Sequence, residues 1–96
     1  MLFIATCVDK PHSLDLRLAN RPTHLDYIKG LGAKLRAAGA MLAEDLQTPM
    51  GSMLIFEGES PAEIEALLAE DPYAKAGLFE SVTVRPWRQA VGQPLA

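Results

Sequence analysis

The segment Ser52-Met53-Leu54-Ile55-Phe56-Glu57-Gly58-Glu59-Ser60-Pro61-Ala62-Glu63 decides the fold, because a strand pattern gives way to a helix start within it. The large apolar residues between about Ser52 and Glu57 favour a β-strand. Ser60-Pro61-Ala62-Glu63 is a capping box with proline at the first helical position. The sequence therefore predicts a strand followed by a helix, whose apolar face is formed by Ile64, Leu67 and Leu68.

Three further strands are predicted around this segment. The β-branched and aromatic residues of Leu2–Val8 favour a first strand, which the polar run Asp9–His12 ends. A second strand is expected at about Met41–Leu46, and the residues Thr48–Gly51 then predict a turn. The last strand is expected at about Glu80–Pro86.

The main helix is predicted in the first half of the chain. Ser13–Ala19 is expected to form a short helical turn. Asn20 then caps a helix from about Pro22, whose missing N–H costs nothing in a first turn, to Ala38. Gly39 lies where a left-handed residue commonly ends a helix. Helical spacing gives this helix one apolar face, formed by Leu25, Ile28, Leu31 and Leu35.

The order β-α-β-β-α-β predicts an α+β fold of the ferredoxin-like type. Right-handed crossovers place both helices on one face of a four-stranded antiparallel sheet with strand order 4-1-3-2. Residues 1–87 are expected to form this single domain, followed by a loosely ordered tail at 88–96 that contains Gly92 and Pro94.

Composition limits the classes of function. A net charge of -3 provides no basic surface for nucleic acid. The single cysteine, Cys7, excludes an internal disulfide and a cysteine-based zinc site, and suits a reducing cytoplasm. The apolar stretch Met1–Val8 is too short to span a membrane. No phosphate-binding loop or dinucleotide glycine motif is present in the sequence, so we expect no cofactor.

The first strand predicts that the sheet has a partner on its open face. A sheet with one face in water should alternate apolar and polar residues. Helices can cover only one face, so a second copy of the chain is the simplest cover for the other, which predicts a homodimer. The alternative is a monomer with a somewhat apolar open face. Leu2, Ile4 and Val8 point to one side of this strand, and Phe3, Ala5 and Cys7 to the other.

The same topology predicts where polar residues gather. Four places lie at one edge of the sheet: the end of strand one, the start of helix one, the hairpin of strands two and three, and the link from helix two to strand four. Connections held by a rigid sheet commonly carry function. The candidates in or beside these connections are Asp9, Arg17, Arg21, His24, Ser52, Asp71 and Tyr73.

These residue types suit proton transfer on an anionic small molecule. A histidine such as His24 can act as general acid or base, and a carboxylate such as Asp71 can fix its tautomer. Arg17 and Arg21 can hold a carboxylate or phenolate by charge-assisted hydrogen bonds. Tyr73 can donate to an oxygen or stack on a ring.

Each candidate also has a structural interpretation. Asp71 before Pro72 is a good N-cap for a short helical turn. Arg17 and Arg21, four residues apart, can form a solvated helix face. His24 with two aspartates is a weak case for a metal site, and we expect none. Asp9 can simply end a strand, Ser52 can be a turn or strand-edge residue, and Tyr73 can be a packing residue.

Taken together, these segments resemble the YCII-related (YciI-like) family. The resemblance covers nearly the whole chain, from Met1 to about Trp87, and is specific because separate segments agree in the family's order. It is carried by Arg17, Arg21-Pro22-Thr23-His24-Leu25-Asp26-Tyr27, Gly51-Ser52, Asp71-Pro72-Tyr73-Ala74-Lys75-Ala76-Gly77-Leu78-Phe79 and Val82-Thr83-Val84-Arg85-Pro86-Trp87.

The resemblance implies a dimeric α/β barrel and a catalytic His–Asp pair, which by position is His24 and Asp71. Similar dimeric barrels serve small-ring lyases, isomerases and cofactor-free oxygenases, and others only bind ligands. The first hypothesis is a lyase or isomerase acting on a small anionic ring or enol. The second is a non-catalytic module that binds a small metabolite or supports another enzyme. The third is a structural dimer, which predicts His24 more than about 6 Å from any carboxylate.

Overall fold

The computed structural model describes residues 1–95 as four strands and three α-helices. The strands are β1 (Leu2–Asp9), β2 (Leu35–Leu42), β3 (Pro49–Glu57) and β4 (Phe79–Trp87). The helices are α1 (Leu14–Lys29), α2 (Pro61–Ala69) and the short α3 (Pro72–Lys75), with a 3-10 turn at Gly32–Lys34. The predicted βαββαβ order is confirmed, and α3 is added to the last connection.

The strands form one antiparallel sheet in the order β2-β3-β1-β4. This is the predicted order 4-1-3-2 read from the other edge, so the ferredoxin-like fold is confirmed. β1 lies in the middle of the sheet, where Cys7 is opposite Ser52 of β3 and Val82 of β4.

The hydrophobic core lies between the sheet and the helices. Its members come from one face of β1 and β3 and from α2, and α1 adds Ile28 at its border. Burying a large apolar side chain typically stabilises a fold by about 1.5–3 kcal/mol, so this layer holds the helices on the sheet. The core residues are Phe3, Ala5, Cys7, Leu54, Phe56, Ile64 and Leu68.

The first helix is placed differently from the prediction. The expected short turn at Ser13–Ala19 and the first part of the expected helix Pro22–Ala38 form one continuous helix, which ends at Lys29. Asn20 lies inside this helix instead of capping it, and its Nδ2 donates to the carbonyl of Leu16 at 2.9 Å.

Two features explain this wrong prediction. The buried residues of α1 are Arg17 and His24, and apolar spacing cannot reveal a polar inner face. Leu31 and Leu35, which the sequence pattern places on the apolar face of the helix, lie beyond its end.

Within residues 1–95, no helix is long and apolar enough to cross a membrane.

The second strand was also predicted too late in the sequence. β2 runs from Leu35 to Leu42 and not over Met41–Leu46, and Gly39 pairs with Met53 in the sheet instead of ending a helix. The pattern failed because alanine and glycine, which fill the middle of β2, have low β-propensity.

The turn between β2 and β3 accordingly precedes the predicted one. β3 already begins at Pro49, so most of the predicted turn Thr48–Gly51 is strand. The turn is closed by the Ala43 amide, which donates to the Thr48 carbonyl at 2.8 Å, and Asp45 Oδ1 accepts from the Thr48 amide at 2.8 Å. Pro49 is tolerated because it occupies the first position of the strand.

The second half of the chain follows the prediction more closely. The N-cap is confirmed, since Ser60 Oγ accepts from the Glu63 amide at 3.2 Å. Residues 88–95 contain no helix or strand, and the Gln89 side chain donates to the carbonyls of Val91 and Gln93 at 3.0 and 2.6 Å. Ala96 lies outside the described residues, and a loosely ordered tail stays a prediction.

Candidate active site

The fold brings the polar candidates to one edge of the sheet. Asp9 ends β1, Ser52 lies in β3, and Asp71 precedes α3. Arg17 and His24 lie on the inner side of α1, seven residues or about two turns apart. These five are the buried polar or charged residues of the described chain. Burial of so many charges is tolerated only where they are paired, so their partners define the site.

His24 and Asp71 form a close pair. His24 Nδ1 lies 2.8 Å from Asp71 Oδ1 and 3.0 Å from Oδ2. A carboxylate can only accept, so Nδ1 carries the hydrogen and Nε2 is left with the lone pair of a neutral imidazole. Asp71 Oδ1 also accepts from the Tyr73 amide at 2.9 Å and thereby caps α3. The distance of more than 6 Å that a purely structural dimer predicted is therefore wrong.

Tyr73 holds the His24 ring from the side. The two rings are stacked, with centroids 3.8 Å apart and planes inclined by 10°. Phe79 meets the Tyr73 ring edge-on at a centroid distance of 6.1 Å. Because Tyr73 is 1% exposed, the imidazole has little freedom to turn away from Asp71.

Arg17 is bound by a buried network with Asp9 and Ser52. Its Nε donates to Asp9 Oδ2 at 2.7 Å, and its Nη2 donates to Ser52 Oγ at 2.7 Å and to Asp9 Oδ1 at 3.3 Å. Its guanidinium carbon also lies 4.7 Å from the centroid of the Tyr73 ring, within the range of a cation–π contact. Arg17 therefore connects the end of β1 and β3 with the ring that supports His24.

Arg21 is arranged differently from Arg17. It is exposed, lies one turn from each of Arg17 and His24 on α1, and lines the same cleft. Among residues 1–95 it has no carboxylate within ion-pair distance. Of the two predicted anion-binding arginines, only Arg21 has its charge free.

A cleft of about 160 Å³ opens beside His24, between α1 and the β2–β3 part of the sheet. One wall is the β2 segment Ala38-Gly39-Ala40, whose small side chains leave the space open. The volume is close to that of an engineered cavity of about 150 Å³ that holds benzene, so one six-membered ring fits. A larger groove of about 470 Å³ beside Trp87 lies at the other end of β1, away from the paired polar residues.

Burial keeps the Tyr73 phenol and the Cys7 thiol in their neutral forms. Burial raises the pKa of the Tyr73 phenol, although the guanidinium groups of Arg17 and Arg21 act in the opposite direction. Tyr73 is therefore a hydrogen-bond donor at neutral pH. Burial also raises the pKa of the Cys7 thiol to about 12, so Cys7 is not a thiolate nucleophile.

Sequence reasoning missed the wall of the cleft, because it predicts a helix as far as Ala38 with Gly39 ending it. The run Ala37-Ala38-Gly39-Ala40 is the signal that could have shown it. Lys75, within the segment that follows Asp71, lies outside the cleft and pairs with Glu70 on the surface at 2.9 Å.

The fold and the site together define the class: a ferredoxin-like α+β domain with a buried His–Asp pair beside a small cleft. The chain matches the family model described as YCII-related domain over residues 1–88 and belongs to that family. The protein YciI of Escherichia coli O6:H1 (strain CFT073) is 38% identical to it, over 93% of this chain and 98% of that protein.

Two solved structures share the fold of the chain. The chain is similar to the 5-chloro-2-hydroxyhydroquinone dehydrochlorinase TftG of Burkholderia phenoliruptrix AC1100, whose structure holds 2,5-dihydroxybenzoquinone. The TM-score is 0.85 at 37% identity, over 94% of this chain and 96% of the other. An antibiotic biosynthesis monooxygenase, covering 95% of this chain and 100% of its own, shares the fold alone, with a TM-score of 0.55 at 17% identity.

Proposed function

We propose that this protein is a cofactor-independent enzyme of the lyase or isomerase type, acting on a small anionic ring or enol. The observation that carries the proposal is the 2.8 Å contact between Asp71 and His24 Nδ1 beside a cleft of ring size. Asp71 fixes the tautomer that leaves Nε2 as the proton acceptor. His24 is then the general base and acid, and Asp71 orients it.

The chemistry needs proton movement alone. For loss of HX from a hydroxylated ring, His24 takes a proton from one hydroxyl group and returns it to the ring carbon that bears X, and a second hydroxyl group loses its proton as X⁻ leaves, so that X⁻ and this second proton make up HX. The leaving group departs with its bonding pair, so no oxidant or reductant is consumed. General acid–base catalysis of this kind typically contributes about 10²–10⁴-fold to a rate, and Asp71 stabilises the imidazolium formed on the way.

The resemblance to TftG suggests a first substrate class. TftG is a dehydrochlorinase with a quinone bound, and it covers nearly the whole chain at 37% identity. The cleft volume agrees with a single ring of that size. Hydroxylated aromatic rings with a leaving group are therefore the first compounds to test.

The test is chloride release from 5-chloro-2-hydroxyhydroquinone by the wild type and by His24→Gln and Asp71→Asn. We expect kcat to fall by about 10²–10⁴-fold in both variants while the fold is kept. Undiminished turnover in both variants would overturn the mechanism. Binding of the ring without turnover in any of the three proteins would support the second hypothesis, a non-catalytic binding or accessory module.

We also propose that the protein works as a homodimer joined through the open face of the sheet, and that it resides in the cytoplasm. The first rests on the two apolar faces of β1, and the second on a single cysteine kept as a thiol. Both stay predictions.

A further inference from the structure

Tyr27 links the first helix to the second by a short hydrogen bond. Its phenol donates to the carbonyl of Leu67, in the last turn of α2, at 2.6 Å. Within residues 1–95 this is the one side-chain hydrogen bond between α1 and α2. Burial, followed by the charge of Asp71, raises the pKa of the Tyr27 phenol, so the group stays a donor at neutral pH.

The position of this bond in the chain relates it to the His24–Asp71 pair. Tyr27 follows His24 by three residues, so the two side chains lie on the same side of α1, one turn apart. Leu67 precedes Asp71 by four residues, and the Glu70 amide between them donates to the Leu67 carbonyl at 3.2 Å. The carbonyl that Tyr27 binds is therefore separated from Asp71 by one hydrogen-bonded turn of backbone.

Two contacts thus join α1 to the segment that carries Asp71. The contacts of the His24 ring with Asp71 and Tyr73 both come from the α3 end of this segment, so they move together with it. The bond from Tyr27 lies one turn away and opposes sliding or turning of the segment relative to α1. Because a displacement of about 1 Å breaks a hydrogen bond of 2.8 Å, such movement decides whether His24 Nδ1 keeps its partner.

We propose that Tyr27 is a positioning residue, whose bond to the last turn of α2 keeps the Asp71 carboxylate on His24 Nδ1. Tyr27 is not among the residues that line the cleft, so it acts on the chemistry only through His24. The inference deepens the proposed function and rests on it only where turnover is measured, since the His24–Asp71 contact can be observed without substrate.

Exchange of the His24 Nδ1 proton with water tests this role in Tyr27→Phe. The rate, measured by NMR saturation transfer from water, reports how often the pair opens, and His24→Gln assigns the signal by removing it. The variant keeps the ring and leaves the Leu67 carbonyl with its Glu70 donor, so the fold is kept. We expect exchange to be about two- to tenfold faster, the change that corresponds to one ordinary hydrogen bond.

The matched control is Ile64→Val, which removes one methylene from a fully buried side chain of the same helix and leaves the Tyr27 hydroxyl in place. It should lower the urea midpoint by a similar amount to Tyr27→Phe and leave the exchange of the His24 proton unchanged. This variant separates a loss of stability from a loss of positioning.

Kinetics give a second measurement where 5-chloro-2-hydroxyhydroquinone is turned over. Tyr27→Phe should lower kcat about two- to tenfold and leave KM within about twofold, because the general base is misplaced while the cleft is intact. In a His24→Gln background the same change should have no further effect, since Tyr27 acts through His24.

Unchanged exchange in Tyr27→Phe, or equally fast exchange in Ile64→Val, would overturn the inference and leave the proposed enzyme untouched, because the wild type would still hold its pair. A wild type without a protected ring proton would contradict the pair itself, and the proposed function together with the inference. If exchange responds to Tyr27→Phe while no protein turns over a substrate, the positioning role stands and the catalytic role of His24 fails.

Discussion

Asp71 uses one carboxylate for two roles. Its Oδ1 accepts from the Tyr73 amide, which starts α3, and the same group holds His24 Nδ1. The capping and the paired interpretations of Asp71 are therefore both correct at the level of contacts. Because the cap fixes the carboxylate, the orientation of the imidazole depends on how α3 begins.

Cys7 lies beneath the site and predicts a pH dependence of stability. Its thiol is fully buried, and burial, followed by the charges of Asp71 and Asp9, raises its pKa to about 12. An unfolded thiol titrates at about 8.5–9, so above that pH the unfolded chain releases a proton that the folded chain keeps. The free energy of unfolding should therefore fall by about 1.4 kcal/mol per pH unit above about pH 9.

Urea denaturation at pH 7, 9, 9.5 and 10 measures this slope, and a variant without the thiol corrects for the tyrosines, which titrate at about 10 in the unfolded chain. Cys7→Ala is the control and should be less steep by the same amount, whatever its stability at pH 7. Equal slopes in the two proteins would show that the folded thiol ionises like a free one.

At the scale of elements, the sequence predicted β1, β3, α2 and β4 well because apolar runs and a capping box mark them. α1 and β2 were misplaced, because α1 turns Arg17 and His24 inward and β2 is built from alanine and glycine. Helical periodicity detects an apolar stripe, and a polar inner face removes that stripe.

The topology predicted the gathering of polar residues at one edge of the sheet, but it placed His24 at the start of the first helix. His24 instead lies ten residues after Leu14, the first residue of α1. The pair of His24 with Asp71 followed from the family resemblance, whereas the sequence could not supply the partners of the two arginines. That Arg17 is neutralised while Arg21 is free depends on side-chain distances of under 4 Å.

The two strand glycines have different surroundings, which predicts opposite effects of alanine. A Cβ at Gly51 in β3 would lie 2.5 Å from the Cys7 carbonyl oxygen and 2.5 Å from Met41 Cε, whereas a Cβ at Gly39 in β2 meets nothing within 4 Å. Gly51→Ala should lower the free energy of unfolding by about 1–3 kcal/mol, because backbone must move. Gly39→Ala should leave it unchanged or raise it by about 0.4–1 kcal/mol.

Thermal or urea unfolding of the two variants beside the wild type measures the difference. Gly39→Ala is the matched control, since it makes the same chemical change in the neighbouring strand. Equal stability of the two variants would mean that β1 and β3 do not approach as closely as the register of Val8 with Gly51 requires.

At the scale of the whole molecule, the helices cover one face of the sheet and leave the other open. That open face carries the half-buried residues Ile4, Thr6 and Val8 of β1 in register with β3 partners, among them Met53 and Ile55. Ile55 is only 6% exposed, so neighbouring side chains already crowd together there. A second copy would remove the remaining apolar surface from water, and a stable interface needs about 800 Å² per partner.

A charge at the middle of this face should therefore separate the two copies. Thr6 is half-buried between Met53 and Thr83, and its hydroxyl-bearing side chain is not part of the core, so Thr6→Arg should keep the fold of each copy. Light scattering with size-exclusion chromatography should give twice the chain mass of 10.4 kDa for the wild type and the single mass for Thr6→Arg.

The control is Leu18→Glu, which introduces a charge on the helical side of the sheet, at a 52% exposed position of α1, and should stay dimeric. A monomeric wild type would contradict the dimer, and dissociation by Leu18→Glu alone would place the interface on the helical side of the sheet.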